Sequence, residues 1–386
     1  MKRVVKTLLL IVCVVALLVV GYLAYVILNY YRVGDVELAV EQEAVEDTLN
    51  VGKSYTITSY NVGFGAYQQD YTCVMDSCYV KEGDQWKMIE GRNLKALSKD
   101  DAVCNTDGAA KTITELNPDF ALFQEADLDS DRCYHVNQIE AFKSALPKSD
   151  SVYCTNFHTP YFCYPLNDMM GKAESGILTL SRVKIQKSDR YEFKVTDDII
   201  ERNFDLDRCF SVSYIDVDNG KQLVLINLHM SAYDEGGVIR AEQRQKLYTF
   251  MEDEFSKGNY IIAGGDFNHD LLTYNPEYSQ YTQDNLPFVT DKTQKLPNDM
   301  VFFFDENSDA GLPEGLRLMA SDNCSTCRTA AITWQPEFNY CRVLDGFIVS
   351  DNIEVEEHRN IVTSTENLEG YAYSDHEPTW MKFSLK

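Results

Sequence analysis

Six short stretches of this 386-residue chain hold side chains that bind cations, move protons or grip phosphoryl oxygens. Asn61 closes the run 54–62, Gln124-Glu125 follow 120–123, and Asn227 and His229 end 222–228. Residues 260–263 run into Gly264-Gly265-Asp266-Phe267-Asn268. Asp345 opens 346–349, and Ser374-Asp375-His376 precedes the last run, 379–385. Carboxylate and amide oxygens are hard ligands of the kind Mg2+ takes. A histidine changes charge near neutral pH, which suits it to proton transfer. Cleaving a phosphate ester needs an activated water, neutralised charge on the phosphoryl oxygens and help for the leaving group. Taken singly, each residue has a plainer role. Asn61 is then a turn residue, Glu125 a solvated carboxylate, Asp375 a turn cap, and His229 a satisfied core histidine. The weight lies in their joint placement at strand ends, where a rigid scaffold fixes geometry.

The elements that must position these residues follow from the patterning. Residues 54–62 (SYTITSYNV) alternate polar and apolar side chains, as a half-buried strand does. Residues 107–117 have helical spacing, with Pro118 past the stop. Short strands are expected at 120–123, 176–180, 260–263 and 344–349, and 222–228 (QLVLINL) is almost continuously apolar. Residues 239–255 predict an amphipathic helix, and 379–385 alternate again. From about Lys53 onward there is no Pro-, Gly- or Ser-rich linker and no internal repeat. Interleaved strands and helices predict one layered α/β domain.

In this order and spacing the pieces resemble the endonuclease/exonuclease/phosphatase superfamily, which includes DNase I-like nucleases, inositol-polyphosphate 5-phosphatases and neutral sphingomyelinases. The matching segments are Ser59-Tyr60-Asn61-Val62, Phe123-Gln124-Glu125, Glu174-Ser175-Gly176-Ile177-Leu178 and Asn227-Leu228-His229. They continue as Gly265-Asp266-Phe267-Asn268, Leu344-Asp345-Gly346-Phe347-Ile348-Val349-Ser350 and Ser374-Asp375-His376-Glu377-Pro378. The resemblance implies a DNase I-like four-layer α/β sandwich, two packed mixed β-sheets flanked by helices, across 53–386. It also implies a Mg2+-dependent phosphoric ester hydrolase, with Mn2+ as the alternative ion. Glu125 is then the principal metal carboxylate, assisted by Asn61 and Asp375. His376 becomes the general base with Asp345 orienting its ring, while Asp266 and Asn268 position the water and bind a phosphoryl oxygen. His229 contacts the phosphate or helps the leaving oxygen. Arg240 and Arg208 are candidates for phosphate binding, with a salt bridge as the default for either. No Ser or Cys nucleophile motif stands out, which implies direct attack by water. Two long stretches, 66–105 and 274–339, depart from the pattern and are expected to shape the substrate mouth.

Bulk properties narrow the partners. Net charge is −25 and the sequence pI about 4.6, which argues against a broad basic nucleic-acid platform. A local metal ion still admits a phosphate substrate. Lys2, Arg3 and Lys6 precede the uncharged run 7–31, long enough to cross a bilayer and too long for the apolar region of a cleaved signal. The basic flank places the N-terminus in the cytoplasm and the body outside it, or free outside the cell if the segment is cleaved. The chain thus divides into a cytoplasmic tip and anchor (1–32), an acidic tether (33–52) and a catalytic domain (53–386). Ten of 11 Cys lie beyond the anchor, an even number that permits disulfides in an exported body. The close pairs Cys73/Cys78 and Cys324/Cys327 are the obvious candidates. The expected substrate is a phospholipid or small phosphodiester, and the expected state a monomer. A nuclease of the same fold and a non-catalytic surface binding module are the alternatives.

Overall fold

The computed structural model describes residues 2–82, 85–163, 165–166, 168–196, 206–232, 238–272, 311–336 and 338–386. In chain order it has α1 (Lys2–Asn29), β1 (Val36–Leu38), β2 (Ser54–Asn61), β3 (Ser77–Glu82), β4 (Gln85–Glu90), α2 (Lys99–Leu116) and β5 (Phe120–Asp127). Next come α3 (Gln138–Ala145), β6 (Asp150–Phe162), β7 (Gly171–Ser181), β8 (Ile185–Glu192), β9 (Cys209–Asp216), β10 (Gln222–His229) and α4 (Val238–Ser256). The rest is β11 (Tyr260–Asp266), β12 (Leu316–Met319), β13 (Cys327–Arg328), β14 (Cys341–Arg342), β15 (Asp345–Ser350), β16 (Ile353–Asn360) and β17 (Thr379–Leu385).

Two mixed sheets carry the body, in the orders β1-β8-β9-β10-β11-β15-β12 and β16-β17-β2-β5-β7-β6. The continuous apolar run of β10 has a simple cause: both of its faces are covered. Leu223 and Leu225 enter the core between the sheets with Ile57, Leu122, Ile262 and Phe347. Val224 and Ile226 face the other way, onto Leu247, Tyr248 and Met251 of α4. On the far side of the second sheet, Ala109 and Ile113 of α2 and Ile139 and Phe142 of α3 pack on Tyr60, Phe123 and Leu178. Helix, sheet, sheet and helix make the four layers expected, and the fold is DNase I-like.

The alternating and apolar runs became strands and 239–255 became α4, while the boundaries differ where polar residues hide the pattern. The helix expected at 107–117 begins eight residues earlier, at Lys99. Ser98 caps it by accepting from Asp101 N at 3.1 Å, Asp100 and Asp101 complement its N-terminal dipole, and Asn117 closes it in the left-handed region. The strand expected at 120–123 runs on to Asp127 through a bulge between Phe123 and Ala126.

Residues 33–52 are a correction. Expected as a tether, they are stitched to the body instead. Val36–Leu38 pairs antiparallel with β8, Glu41 exchanges backbone hydrogen bonds with Ser151, and Leu49 is fully buried between the sheets. The open backbone edge of β8 and the apolar gap that takes Leu49 explain why this acidic segment is held. The insertion 66–105 contains the β3–β4 hairpin and the start of α2. Of 274–339, residues 274–310 lie outside the described residues. The expected pairs Cys73/Cys78 and Cys324/Cys327 are not joined; each of these thiols is free. Helix α1 is long and apolar enough to cross a membrane, and none of its residues is buried.

Candidate active site

Strand direction brings the chemistry to one edge. β2 and β5 are parallel, and their pairing ends with Asn61 opposite Gln124. In the other sheet β10 and β11 are parallel, with His229 opposite Asp266, and β15 starts antiparallel with Asp345 opposite Asp266. The same sheet faces that meet in the core therefore deliver Asn61, Glu125, His229, Asp266 and Asp345 to one end of the sandwich. The two sheets are pinned there by Asn227. Its Nδ2 donates to the Leu178 and Phe123 carbonyls at 3.0 and 3.3 Å, and its Oδ1 accepts from Gln124 Nε2 at 2.8 Å. Buried amides with full partners fix register and spacing at little net cost.

Glu125 owes its direction to the bulge. Its φ of 53° places it in the left-handed region, so the side chain leaves the core alternation and turns toward the edge. Asn61 Nδ2 donates to Glu125 Oε1 at 3.2 Å and to Asp266 Oδ2 at 3.0 Å, while its Oδ1 accepts from Gly63 N. As found, Asn61 therefore links two carboxylates through its amide nitrogen. Its oxygen is already taken by backbone.

Asp266 and Asn268 follow a strand position that only glycine permits. Gly265 has φ +149°, and a Cβ there would lie 2.0 Å from the Leu228 carbonyl oxygen. Asp266 Oδ1 accepts from Asn268 N at 2.8 Å, and Asn268 Nδ2 donates to the Met230 carbonyl at 2.8 Å. His229 Nε2 lies 3.5 Å from Asp266 Oδ2 and 3.9 Å from Glu125 Oε1. Burial, then Arg208 and His376, hold its imidazole well below the ordinary value, so the ring is neutral.

The last motif is bolted to the others by backbone. Ser374 Oγ donates to the Asn61 carbonyl at 2.8 Å and accepts from His376 N. His376 Nδ1 meets Asp345 Oδ2 at 2.8 Å, and its Nε2 points toward Asp266 Oδ2 at 3.7 Å. Asp345 is itself held by Thr326, whose Oγ1 accepts from both Leu344 N and Asp345 N. Arg328 donates its backbone N to the Asp375 carbonyl and its guanidinium to the Tyr67 and Gln68 carbonyls, tying the first insertion to this motif. Thr326 and Arg328 lie in the second long stretch, where nothing in the patterning singles them out. Ser374 was visible as part of its motif, but its role in bridging to β2 was not.

The two arginines expected to bind phosphate are both buried. Arg208 Nη1 donates to the Met230 carbonyl at 2.8 Å, the same oxygen that receives Asn268. Arg240, 2% exposed on α4, donates to the Ala232 carbonyl and braces the loop that leaves β10.

The electrostatics expose a surplus of negative charge. Burial pushes the Asp375 carboxyl up to about 7, with His376 pulling it down and Glu125 pushing it further up. Burial likewise raises Asp266 to about 6, against His376 and with Asp345. Burial works against a charged His376, but neighbouring Cys327, Asp345 and Asp266 outweigh it and hold the ring well above its ordinary value. Oxygen donors crowded until they hold protons fit a hard divalent cation, and Glu125 stands near enough to Asp375 to raise it. Asp266, Asp345 and His376 also present ligand atoms within 4.8 Å of one another. Within that group His376 Nδ1 and Asp345 Oδ2 are already paired with each other.

These shifts give a measurable slope. A carboxyl raised on folding keeps its proton in the native chain only, so its contribution to stability falls as pH climbs toward the folded value. Asp375 and Glu377, the latter buried and raised to about 8, act in this direction. A raised histidine has the same sign, its stabilisation being lost as pH rises through the folded value. His229, His269 and His358 are lowered by burial and add a smaller slope of opposite sign that fades by about pH 7.5, once the unfolded imidazole has lost its proton. The melting temperature of EDTA-treated protein should therefore fall between roughly pH 6.5 and 8. A midpoint that rises over that interval contradicts the assigned charge states.

Residues 58–376 match the endonuclease/exonuclease/phosphatase family. No curated protein matches the chain. Among solved structures, TDP2 of D. rerio complexed with a single-strand DNA product is similar at 15% identity and TM-score 0.50, covering 86% of this chain and 99% of that one. A humanized D. rerio TDP2 with 14 mutations is similar at 13% identity and TM-score 0.50, covering the same 86% and 99%. A family protein from Bacteroides thetaiotaomicron is similar at 16% identity and TM-score 0.47, covering 86% and 96%. At these identities the likeness extends to the fold alone, while the family match spans most of the body that carries the site. The chain belongs to the endonuclease/exonuclease/phosphatase family.

Proposed function

We propose that this chain is a membrane-anchored, divalent-metal-dependent phosphoesterase acting outside the cytoplasm, with a membrane-borne phosphodiester as substrate. Family membership supports phosphate-ester hydrolysis, and the crowded carboxylates support the metal. Glu125 and Asp375 would hold the ion, with Asn61 aligning Glu125; Mg2+ fits the oxygen donors and Mn2+ is the alternative. When bound, the ion supplies charge neutralisation at the phosphoryl oxygens. Asp266 and Asn268 orient the attacking water. His376 takes its proton at Nε2, while Asp345 fixes the ring through Nδ1 and stabilises the imidazolium. Neutral His229 offers a donor to a phosphoryl or leaving oxygen. With its carboxylates unneutralised His376 keeps a proton, so the base form at neutral pH requires positive charge in the site.

One observation carries the substrate class: the chain enters the body at the edge that holds the site. β8 runs parallel to β10, so its end at Glu192 lies level with His229 through Cys209. β1 begins opposite that end, with Val36 at Arg190, and runs away from it. The β6–β7 hairpin projects beyond the same edge, past the Asp127–Ser175 row to Phe162–Gly171. Tyr22 of α1 accepts from Cys163 N at 2.9 Å, and Tyr25 accepts from Tyr161 N at 3.2 Å. This arrangement supports a site that faces the bilayer into which α1 inserts, with exposed Tyr161 and Leu166 at the interface. A phosphodiester head group is then the substrate within reach. The N-terminus is cytoplasmic, and one copy of the chain suffices for the site.

The test compares full chain in vesicles with a freed body, residues 30–386, which keeps β1. Substrates are phosphodiester lipid vesicles, bis-p-nitrophenyl phosphate and single-stranded DNA, each with Mg2+. Faster lipid cleavage by the anchored chain supports the reading. Preference for DNA turns it toward the nuclease alternative, and no hydrolysis of any ester leaves the non-catalytic binding module.

A further inference from the structure

A second reactive pair lies between the sheets, beside the site but outside it. Cys154 is on β6, at the edge of the six-stranded sheet, and Cys209 opens β9 in the other sheet. Their sulfurs are 3.6 Å apart and both residues are fully buried, packed against Ile177 and the half-buried Leu38 of β1. Contact across a sheet interface is not forced by chain proximity, because 55 positions separate the two. A disulfide at about 2.05 Å needs the sulfurs to close by roughly 1.5 Å.

Arg190 on β8 sits over the pair. Its Nε donates to the Thr155 carbonyl at 3.2 Å, its Nη2 to the Asp207 carbonyl at 2.9 Å, and its Nη1 to the Val33 and Gly34 carbonyls. It therefore joins the residue after Cys154, the segment leading into Cys209 and the stretch that follows α1. Burial drives the Cys154 thiol well above the ordinary value. Cys209 is equally buried, yet the Cys154 S–H and the Arg190 guanidinium hold it below that value.

We propose that Cys154 and Cys209 form a disulfide that locks the two sheets together beneath the active-site edge. The proposal rests on the extracytoplasmic orientation argued above, since thiols stay reduced in the cytoplasm. Cys209 lies directly opposite His229 in the β9–β10 ladder, and Cys154 lies opposite Ile177, next to Gly176, on β7. The bond therefore fixes the spacing between the strand that carries His229 and the sheet that carries Glu125. It forms by exchange with a small or protein disulfide as oxidant. The Cys209 thiolate attacks one sulfur of that oxidant, releasing its first thiol and leaving a mixed disulfide. The Cys154 thiolate then attacks Cys209 Sγ and releases the second thiol. Two protons leave the protein thiols, and two electrons pass to the oxidant. Full burial requires the exchange to precede completion of the fold.

The experiment uses full chain produced in a membrane with its body on the oxidising face. The chain is denatured with iodoacetamide and no reductant, then digested with trypsin and chymotrypsin, which separates Cys154 from Cys163. The expected product is a Cys154–Cys209 linked peptide that disappears after dithiothreitol. Reduction with dithiothreitol in denaturant, followed by refolding in the reductant, should also lower the melting temperature by roughly 5–10 °C, and leave that of the Cys154→Ala/Cys209→Ala double variant unchanged. A second sample is full chain refolded in detergent with reduced and oxidised glutathione. If both cysteines are recovered alkylated in both samples, or Cys154 is linked to Cys163, the pairing is overturned. A bond in the refolded chain that is absent from the membrane-produced chain overturns the proposal through its orientation and not its geometry. Catalysis enters neither readout, so failure of the phosphoesterase reading is scored separately.

Discussion

Replacing His376 with alanine should lower kcat/KM for a phosphodiester by roughly 10²–10⁴-fold, the range that one positioned general base supplies. The expectation rests on geometry. His376 Nδ1 is tied to Asp345 Oδ2 at 2.8 Å, Asp345 is tied to Thr326 and is fully buried, and Nε2 faces Asp266 across 3.7 Å. Asp345→Asn keeps the shape but removes the charge that selects the tautomer, so it should lose a large part of the same factor. Residues that act as a unit are non-additive. The His376→Ala/Asp345→Asn double variant should therefore be little slower than His376→Ala alone. Steady-state kinetics on the four proteins, each checked for folding by near-UV circular dichroism, measures the coupling. Fully multiplicative losses would separate the two residues and end the dyad.

The second large effect is expected at Glu125. Glu125→Gln keeps the volume and the hydrogen bond from Asn61 Nδ2 but removes one of two carboxylates in the proposed cradle. Mg2+ affinity should fall by at least about 100-fold, judged against the 10–100-fold cost of losing mere supporting contacts. Activity at fixed Mg2+ should fall with it. A second consequence is independent of catalysis. Because the Glu125 charge helps to raise Asp375, its removal should let Asp375 ionise at lower pH and flatten the pH dependence of stability in metal-free protein. Calorimetric Mg2+ titration and melting curves at two pH values check both. An unchanged Mg2+ affinity would move the ion elsewhere, toward the Asp266–Asp345–His376 group.

How much of this was legible follows from what each residue needs. Positions whose chemistry coincides with a strand end were readable: Asn61, Asp266 and Asp345 each close or open an apolar run, and the structure gathers them at one edge. The runs of β10 and β17 were readable because burial leaves its mark on every residue. Glu125 was readable as a residue but not as a conformation, since the bulge that aims it shows only in the register slip of β5. The start of α2 was hidden because its first turn, Lys99-Asp100-Asp101, is polar and solvent-facing, and its stop at Asn117 was not. Segment 33–52 looked like a tether because acidic composition says nothing about backbone pairing to a free edge, and Leu49 alone is too small a signal. Thr326 and Arg328 act through backbone atoms of distant residues, a kind of contact that side-chain spacing does not encode. Cysteine spacing misled for the same reason. Close pairs in sequence stayed apart, while Cys154 and Cys209 meet across two sheets.

In the proposed function, carboxylates on Glu125 and Asp375 hold a divalent ion while His376 activates water. Hydrolysis of bis-p-nitrophenyl phosphate by the full chain, followed through EDTA treatment and restoration of Mg2+, tests it most directly, with His376→Ala run alongside. Activity should vanish with EDTA, return with Mg2+, and stay low in the variant under either condition. Hydrolysis that persists in EDTA and in His376→Ala alike would contradict the account.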